Sequence, residues 1–202
     1  MLNRDIYLTP PKANRLVNNG VAEVSEDHST AAQAVLRYEL ETFVCDGQYA
    51  KGLEDILGQF LRNLDSGAEQ PGVWISGFYG SGKSHLAKML RVLWTDHRFD
   101  DGATARGLAK LPDTVVDLFR ELSTQGKRHG GLRAVAGKLG AGAGDRVRLA
   151  LLGLVFKSQG LPESYNQAQF ILWLKREDLL SAIESELQQA GRSLAQELPH
   201  LY

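Results

Sequence analysis

Apolar residues recur along most of this chain at helical spacing. From Ser29-Thr30, a plausible cap, Ala32, Val35, Leu36, Leu40 and Phe43 predict one helix. Leu53, Ile56, Leu57, Phe60, Leu61 and Leu64 place one stripe on a second, running from Gln48 to Leu64. A third pattern runs from Lys83 to about Trp94. A fourth starts at Pro112, where a missing N–H costs a helix nothing, and carries Val115, Leu118, Phe119 and Leu122 at i, i+3, i+4 and i+7. Further on, Asp145 caps a predicted helix through Val147, Leu151, Leu154, Val155 and Phe156 that stops near Gly160-Leu161-Pro162. Phe170 to Leu174 reads as buried helix, and an amphipathic helix from about Asp178 to Ala190 closes at Gly191. The default expectation for every stripe is packing on a core.

Two stretches break this rhythm. Leu16-Val17 and Val21 to Val24 flank Asn18-Asn19-Gly20, a hairpin signal after an irregular arm containing Pro10-Pro11. Val73-Trp74-Ile75-Ser76 is a short β-favouring run after Pro71-Gly72. It leads into Gly77-Phe78-Tyr79-Gly80-Ser81-Gly82-Lys83-Ser84, which fits G-x-x-x-x-G-K-[ST] without a mismatch and sits in the strand-loop-helix setting this motif requires. The glycines let the backbone wrap an anion with its N–H groups inward, and the starting helix adds roughly half a positive charge there. Lys83 would reach the β- and γ-phosphates, and the Ser84 hydroxyl would ligate Mg²⁺. The candidate ATP site is Gly77, Phe78, Tyr79, Gly80, Ser81, Gly82, Lys83, Ser84 and His85, with Lys83 as the catalytic residue. Phe78 and Tyr79 read as packing or loop-shape residues.

Composition adds bounds. The 202 residues are 43% hydrophobic and 23% charged with a net charge of −1, an ordinary globular balance in which any nucleic-acid contact must come from a local patch. Residues 1–70 carry six Lys/Arg against eleven Asp/Glu, net −5, and would repel nucleic acid. Residues 125–148 carry six basic side chains (Lys127, Arg128, Arg133, Lys138, Arg146, Arg148) against Asp145, net +5, within a glycine-rich connector. That patch could touch DNA, another subunit or only solvent; it has no aromatic residue for base stacking, so solvent is the default. The lone Cys45 excludes an internal disulfide, suits a reducing cytoplasm and reads as a buried thiol. The five histidines show no metal-ligand spacing, and no apolar run approaches the ~20 residues that span a bilayer, so a cytoplasmic location is expected.

Hydrolysis needs an acid on the metal and a group that orients water. Val115-Val116-Asp117 superficially resembles an apolar strand ending in such an acid, but its 3.6-residue period puts Asp117 on the polar face of a helix. Phe170 to Leu174 ends in Lys175-Arg176 and fails too. The missing groups are either disguised within this chain or, as the favoured expectation, lie beyond its end.

The run Tyr38 to Leu53, with Phe43-Val44-Cys45-Asp46-Gly47-Gln48-Tyr49 at its centre, and the run Gly72 to Leu90 resemble the N-terminal part of BrxC, the large P-loop ATPase of BREX (bacteriophage exclusion) defence systems, related to PglY. Arg148 through Leu161-Pro162-Glu163 to Trp173-Leu174 is also similar. The family's members are several times longer, which implies an N-terminal fragment. The resemblance implies ATP at Gly77 to Ser84, and a part in blocking phage replication and supporting DNA methylation alongside other BREX components.

The expected fold is therefore α/β: a partial, helix-rich, AAA+-like P-loop core over residues 71–202, preceded by an arm, hairpin and lead-in helices over residues 1–70. Homo-oligomerisation and DNA contact are open partner expectations. A small-molecule or nucleotide kinase, or a non-catalytic scaffold built on the same loop, are the alternative functions.

Overall fold

The computed structural model describes residues 29–67, 69–70, 72–137 and 147–200, without the Asp65 side chain. The hairpin expected at residues 16–24, the Asp145 cap, and Lys138 and Arg146 of the basic patch lie outside these residues. The chain forms two compact units, Met1–Gly130 and Gly131–Tyr202. Helices from both sides of residue 70, where the sequence reading divides the chain, share the first unit.

In that unit, α1 (Thr30–Glu41) starts where the Ser29 hydroxyl accepts from Ala32 N–H at 3.3 Å. After it come α2 (Gly47–Ser66), α3 (Lys83–Trp94), a one-turn α4 (Ala105–Leu108) and α5 (Asp113–Arg128). The stripes meet as their spacing predicts: Leu53, Leu57 and Leu61 of α2 and Val115, Phe119 and Leu122 of α5 are all buried, as are Met89 and Leu93 of α3. Thr114 of α5 donates its hydroxyl to Glu54 of α2, and the Phe60 and Trp94 rings meet edge-on at 4.7 Å, tying α2 to α3. Cys45 is buried, as expected of a structural thiol.

Helix α4 has no periodic signature. Thr104 caps it by accepting from Gly107 N–H, and it delivers Arg106 to the end of α3. There Arg106 donates to the carbonyls of Leu93 (2.7 Å) and Trp94 (2.8 Å) at the end of α3, and to Phe119 O (2.9 Å) and Ser123 Oγ (2.6 Å) of α5. One guanidinium thus fastens the last turn of α3 to α5.

The second unit contains α6 (Val147–Ser158), α7 (Tyr165–Arg176), α8 (Leu180–Gln189), α9 (Leu194–Glu197) and a 3₁₀ turn at Leu198–His200. Its core gathers Ile171, Leu174, Leu194 and Leu198, with Leu180 and Leu187 packed against them. Leu172 and Trp173 are exposed, so the run read as buried helix is amphipathic instead. Helix α6 carries apolar residues on every face, with Arg148 and Lys157 near its ends; it buries Gly153 and Phe156 and leaves Leu149, Leu151 and Val155 exposed.

The fold is helix-rich. Among the described residues there is no β-sheet, only an isolated antiparallel bridge between Arg98 and Thr104. The strand expected at Val73 to Ser76 does not form: these residues have no assigned secondary structure, and a strand becomes part of a sheet only when a neighbour accepts its hydrogen bonds. No helix among the described residues is long and apolar enough to cross a membrane.

Candidate functional site

Helix α3 begins at Lys83, inside the glycine-rich motif, as its spacing predicts. Gly82 precedes it with φ +80°, and Gly80 has φ +78°, backbone conformations that side-chain-bearing residues rarely take. The first bond of the helical ladder runs from Leu86 N–H to Gly82 O at 2.8 Å. Ser81 N–H bridges back to Phe78 O at 3.2 Å, which closes the loop on itself. Among the described residues, the N–H groups of Gly80, Gly82, Lys83 and Ser84 donate no backbone hydrogen bond. Four donors at a helix start, together with the positive end of its dipole, suit an anion.

The Lys83 ammonium donates to the carbonyls of Gly77 (2.9 Å) and Phe78 (2.7 Å), with Ser81 Oγ at 3.4 Å. It is thereby anchored over the loop by neutral acceptors. A phosphate offers the same ammonium charged acceptors, which make hydrogen bonds roughly twice as strong. Ser84 lies in the first turn of α3. The side chains and amides present therefore fit a polyphosphate, and Ser84 would hold its Mg²⁺; such a nucleotide would supply the phosphoanhydride and the metal its charge.

Phe78 and Tyr79 are 91% and 97% exposed at the loop's tip, so they pack on nothing in this unit. They are loop residues, not core. His85 is different: its ring lies 5.8 Å from that of the buried Phe43. Burial pushes its pKa below the usual histidine value, with Glu39 pulling it up and Lys88 pushing it down. Lys88 and Glu39 form a well-covered ion pair at 2.5 Å. His85 thus belongs to the packing between α3 and the segment after α1, and its place in the predicted nucleotide set rests on its position next to Ser84 alone.

The lead-in to α2 also touches the loop. The Tyr49 hydroxyl donates to Ser81 O at 2.6 Å, and its ring meets Phe43 edge-on at 6.5 Å. Nothing in the spacing of the sequence assigns Tyr49 a role, although it lies in the run 38–53. Between α2 and residues 73–78, an open cavity of about 530 Å³ adjoins the loop; Tyr49 and Ile56 of α2, Val73, and Ser81 and Lys83 of the loop are among its lining residues.

Asp117 sits on the exposed face of α5, where it accepts from Arg120 at 2.8 Å, which agrees with the helical reading of Val115-Val116-Asp117. In the basic segment, Lys127 lies in the last turn of α5 with Arg128, and Arg133 donates to Gln159.

No family model matches the chain, and no solved structure matches it significantly.

Proposed function

We propose that residues 77–84 bind the triphosphate of ATP with its Mg²⁺, and that this chain is the nucleotide-binding, N-terminal part of a P-loop ATPase of the BREX type. The observation that carries the reading is the set of N–H groups at Gly80, Gly82, Lys83 and Ser84 that donate to no backbone carbonyl, gathered where α3 begins. The glycine conformations fit the motif, and Lys83 is held at the loop rather than dispersed in solvent.

In this reading the backbone amides bind the phosphates, Lys83 neutralises charge near the β- and γ-phosphates, and Ser84 holds the metal. An acid on the metal and a water-orienting group come from outside the described residues, either from further chain or from a second copy. The exposed apolar run from Val73 to Ile75 supports an α/β completion, since it offers β-favouring residues that a flanking sheet would cover. Nucleotide state would then alter how that sheet and its defence partners assemble.

Calorimetric titration with Mg-ATP tests the core of this reading. The unmodified chain should bind, and Lys83→Ala should bind at least about 10-fold more weakly, since a charge-assisted contact contributes roughly 1.5–3 kcal/mol. Equal binding by the two, or binding by neither, would defeat it.

A further inference from the structure

We propose that Tyr49 is a positioning residue for the phosphate loop: its hydroxyl latches the Ser81–Gly82 peptide so that the Gly82 N–H faces the anion. This rests on the nucleotide reading above and adds to it a residue from α2, far from the motif in sequence.

Three observations converge. First, the hydroxyl donates to Ser81 O at 2.6 Å, a short bond between α2 and the loop. Second, the peptide between Ser81 and Gly82 is trans, so its C=O and N–H point in opposite directions. Fixing the carbonyl against α2 turns the amide the other way, into the set of donors at the start of α3. Third, Gly82 is shaped around this hydroxyl: a Cβ built there would collide with Tyr49 Oη and lie 3.6 Å from Cζ. Glycine at this position therefore answers two demands, a left-handed φ and the space that the tyrosine oxygen fills.

The tyrosine is itself held. Its ring packs edge-on against the buried Phe43, and its backbone N–H bonds to Asp46 O at 3.0 Å in the first turn of α2. Since α2 packs along α5, the latch is anchored in the core of the unit and not in a loop. A pre-set amide loses less freedom when a phosphate arrives, which is how a contact remote from the ligand raises affinity.

Replacing the tyrosine by phenylalanine keeps the ring and deletes the oxygen, which separates positioning from packing. Tyr49→Phe should weaken Mg-ATP binding about 2- to 10-fold, the range for one neutral hydrogen bond, with little change in melting temperature. A thermal double-mutant cycle with Gly82→Ala supplies the readout that ring packing alone would not move. The Gly82→Ala change should lower the melting temperature less in the Tyr49→Phe background than in the unmodified chain. The collision with the hydroxyl oxygen disappears there, while the φ penalty stays the same in both backgrounds. Additive effects in that cycle overturn the latch. So does unchanged affinity in Tyr49→Phe when the unmodified chain binds Mg-ATP. If the unmodified chain binds no Mg-ATP, the nucleotide reading falls and takes the phosphate role of the latch with it.

Discussion

The two flanks of the glycine-rich loop differ sharply. Downstream, α3 buries Leu86, Met89, Val92 and Leu93, and its last turn is closed by Arg106. Upstream, Val73 is 55% and Trp74 90% exposed, and no neighbouring strand pairs with them among the described residues. The loop keeps its shape all the same. Its amides are set by the start of α3, by two left-handed glycines and by the Tyr49 contact, none of which depends on a paired strand. The conformation of this glycine-rich loop is thus mainly a property of the helix it opens, whereas the run before it is an exposed apolar surface of the kind that marks an interface.

Deleting a buried side chain on the helix flank should have the largest effect. Met89 is fully buried, and Met89→Ala should cost about 2–5 kcal/mol through lost burial and the cavity it leaves. The same truncation at Trp74, a larger side chain, should stay within about 0.5 kcal/mol, as for other exposed positions. Chemical denaturation of both variants measures the contrast. A Trp74→Ala loss as large as that of Met89→Ala would mean that the upstream run is already packed on something in the isolated chain.

Arg106 offers a smaller, more local break. Its removal strips partners from the Leu93, Trp94 and Phe119 carbonyls and a cation–π contact of 4.7 Å with the Phe119 ring. Arg106→Ala should cost about 1.5–3 kcal/mol, the range for hydrogen bonds to a charged donor, because the Leu93 and Phe119 carbonyls keep the Asp96 N–H and the Ser123 hydroxyl as partners. Arg106→Lys should recover only part of this, because an ammonium cannot reproduce the planar fork that spans two helices. Amide exchange in the last turn of α3 reports it: faster exchange there with unchanged protection in α1 is the expected result, and uniform protection everywhere would refute the role given to Arg106.

What the sequence could and could not disclose follows the same divide. Helices α2, α3 and α5 are legible because each carries one stripe whose 3.6-residue period survives folding, and Gly77 to Ser84 is legible because its spacing encodes backbone geometry directly. Val73 to Ser76 has the composition of a strand, but no strand forms there among the described residues, because pairing is a property of neighbours and leaves no local trace. Tyr49 and Ser81 lie 32 residues apart and meet through one oxygen atom, a contact with no period at all. Helix α4 is a single turn placed by the Thr104 cap, too short for any stripe. In α6 the helix is readable but its buried side is not. Apolar residues on every face give no direction, and only the fold reveals that Gly153 and Phe156 turn inward.

The smallest effect concerns His85, at the start of the well-packed flank. The packing around Phe43 depresses its pKa from 6.5, so the folded chain favours the neutral ring more than the unfolded chain does. Below the unfolded pKa the unfolded state therefore binds more protons, and stability falls as acid is added. The contribution is intact above about pH 6.5 and drains away as the pH drops through the depressed folded value. Asp101 and Glu197, whose pKa values are also lowered, lose their partners in a more acidic range. Melting temperatures between about pH 7.5 and pH 5, a window that brackets the ordinary histidine value, should decline more steeply for the unmodified chain than for His85→Gln, which cannot take up the proton. Parallel curves would show that the ring is solvated in the folded protein, and with it that the helix flank is less tightly closed beside the loop than its burial implies.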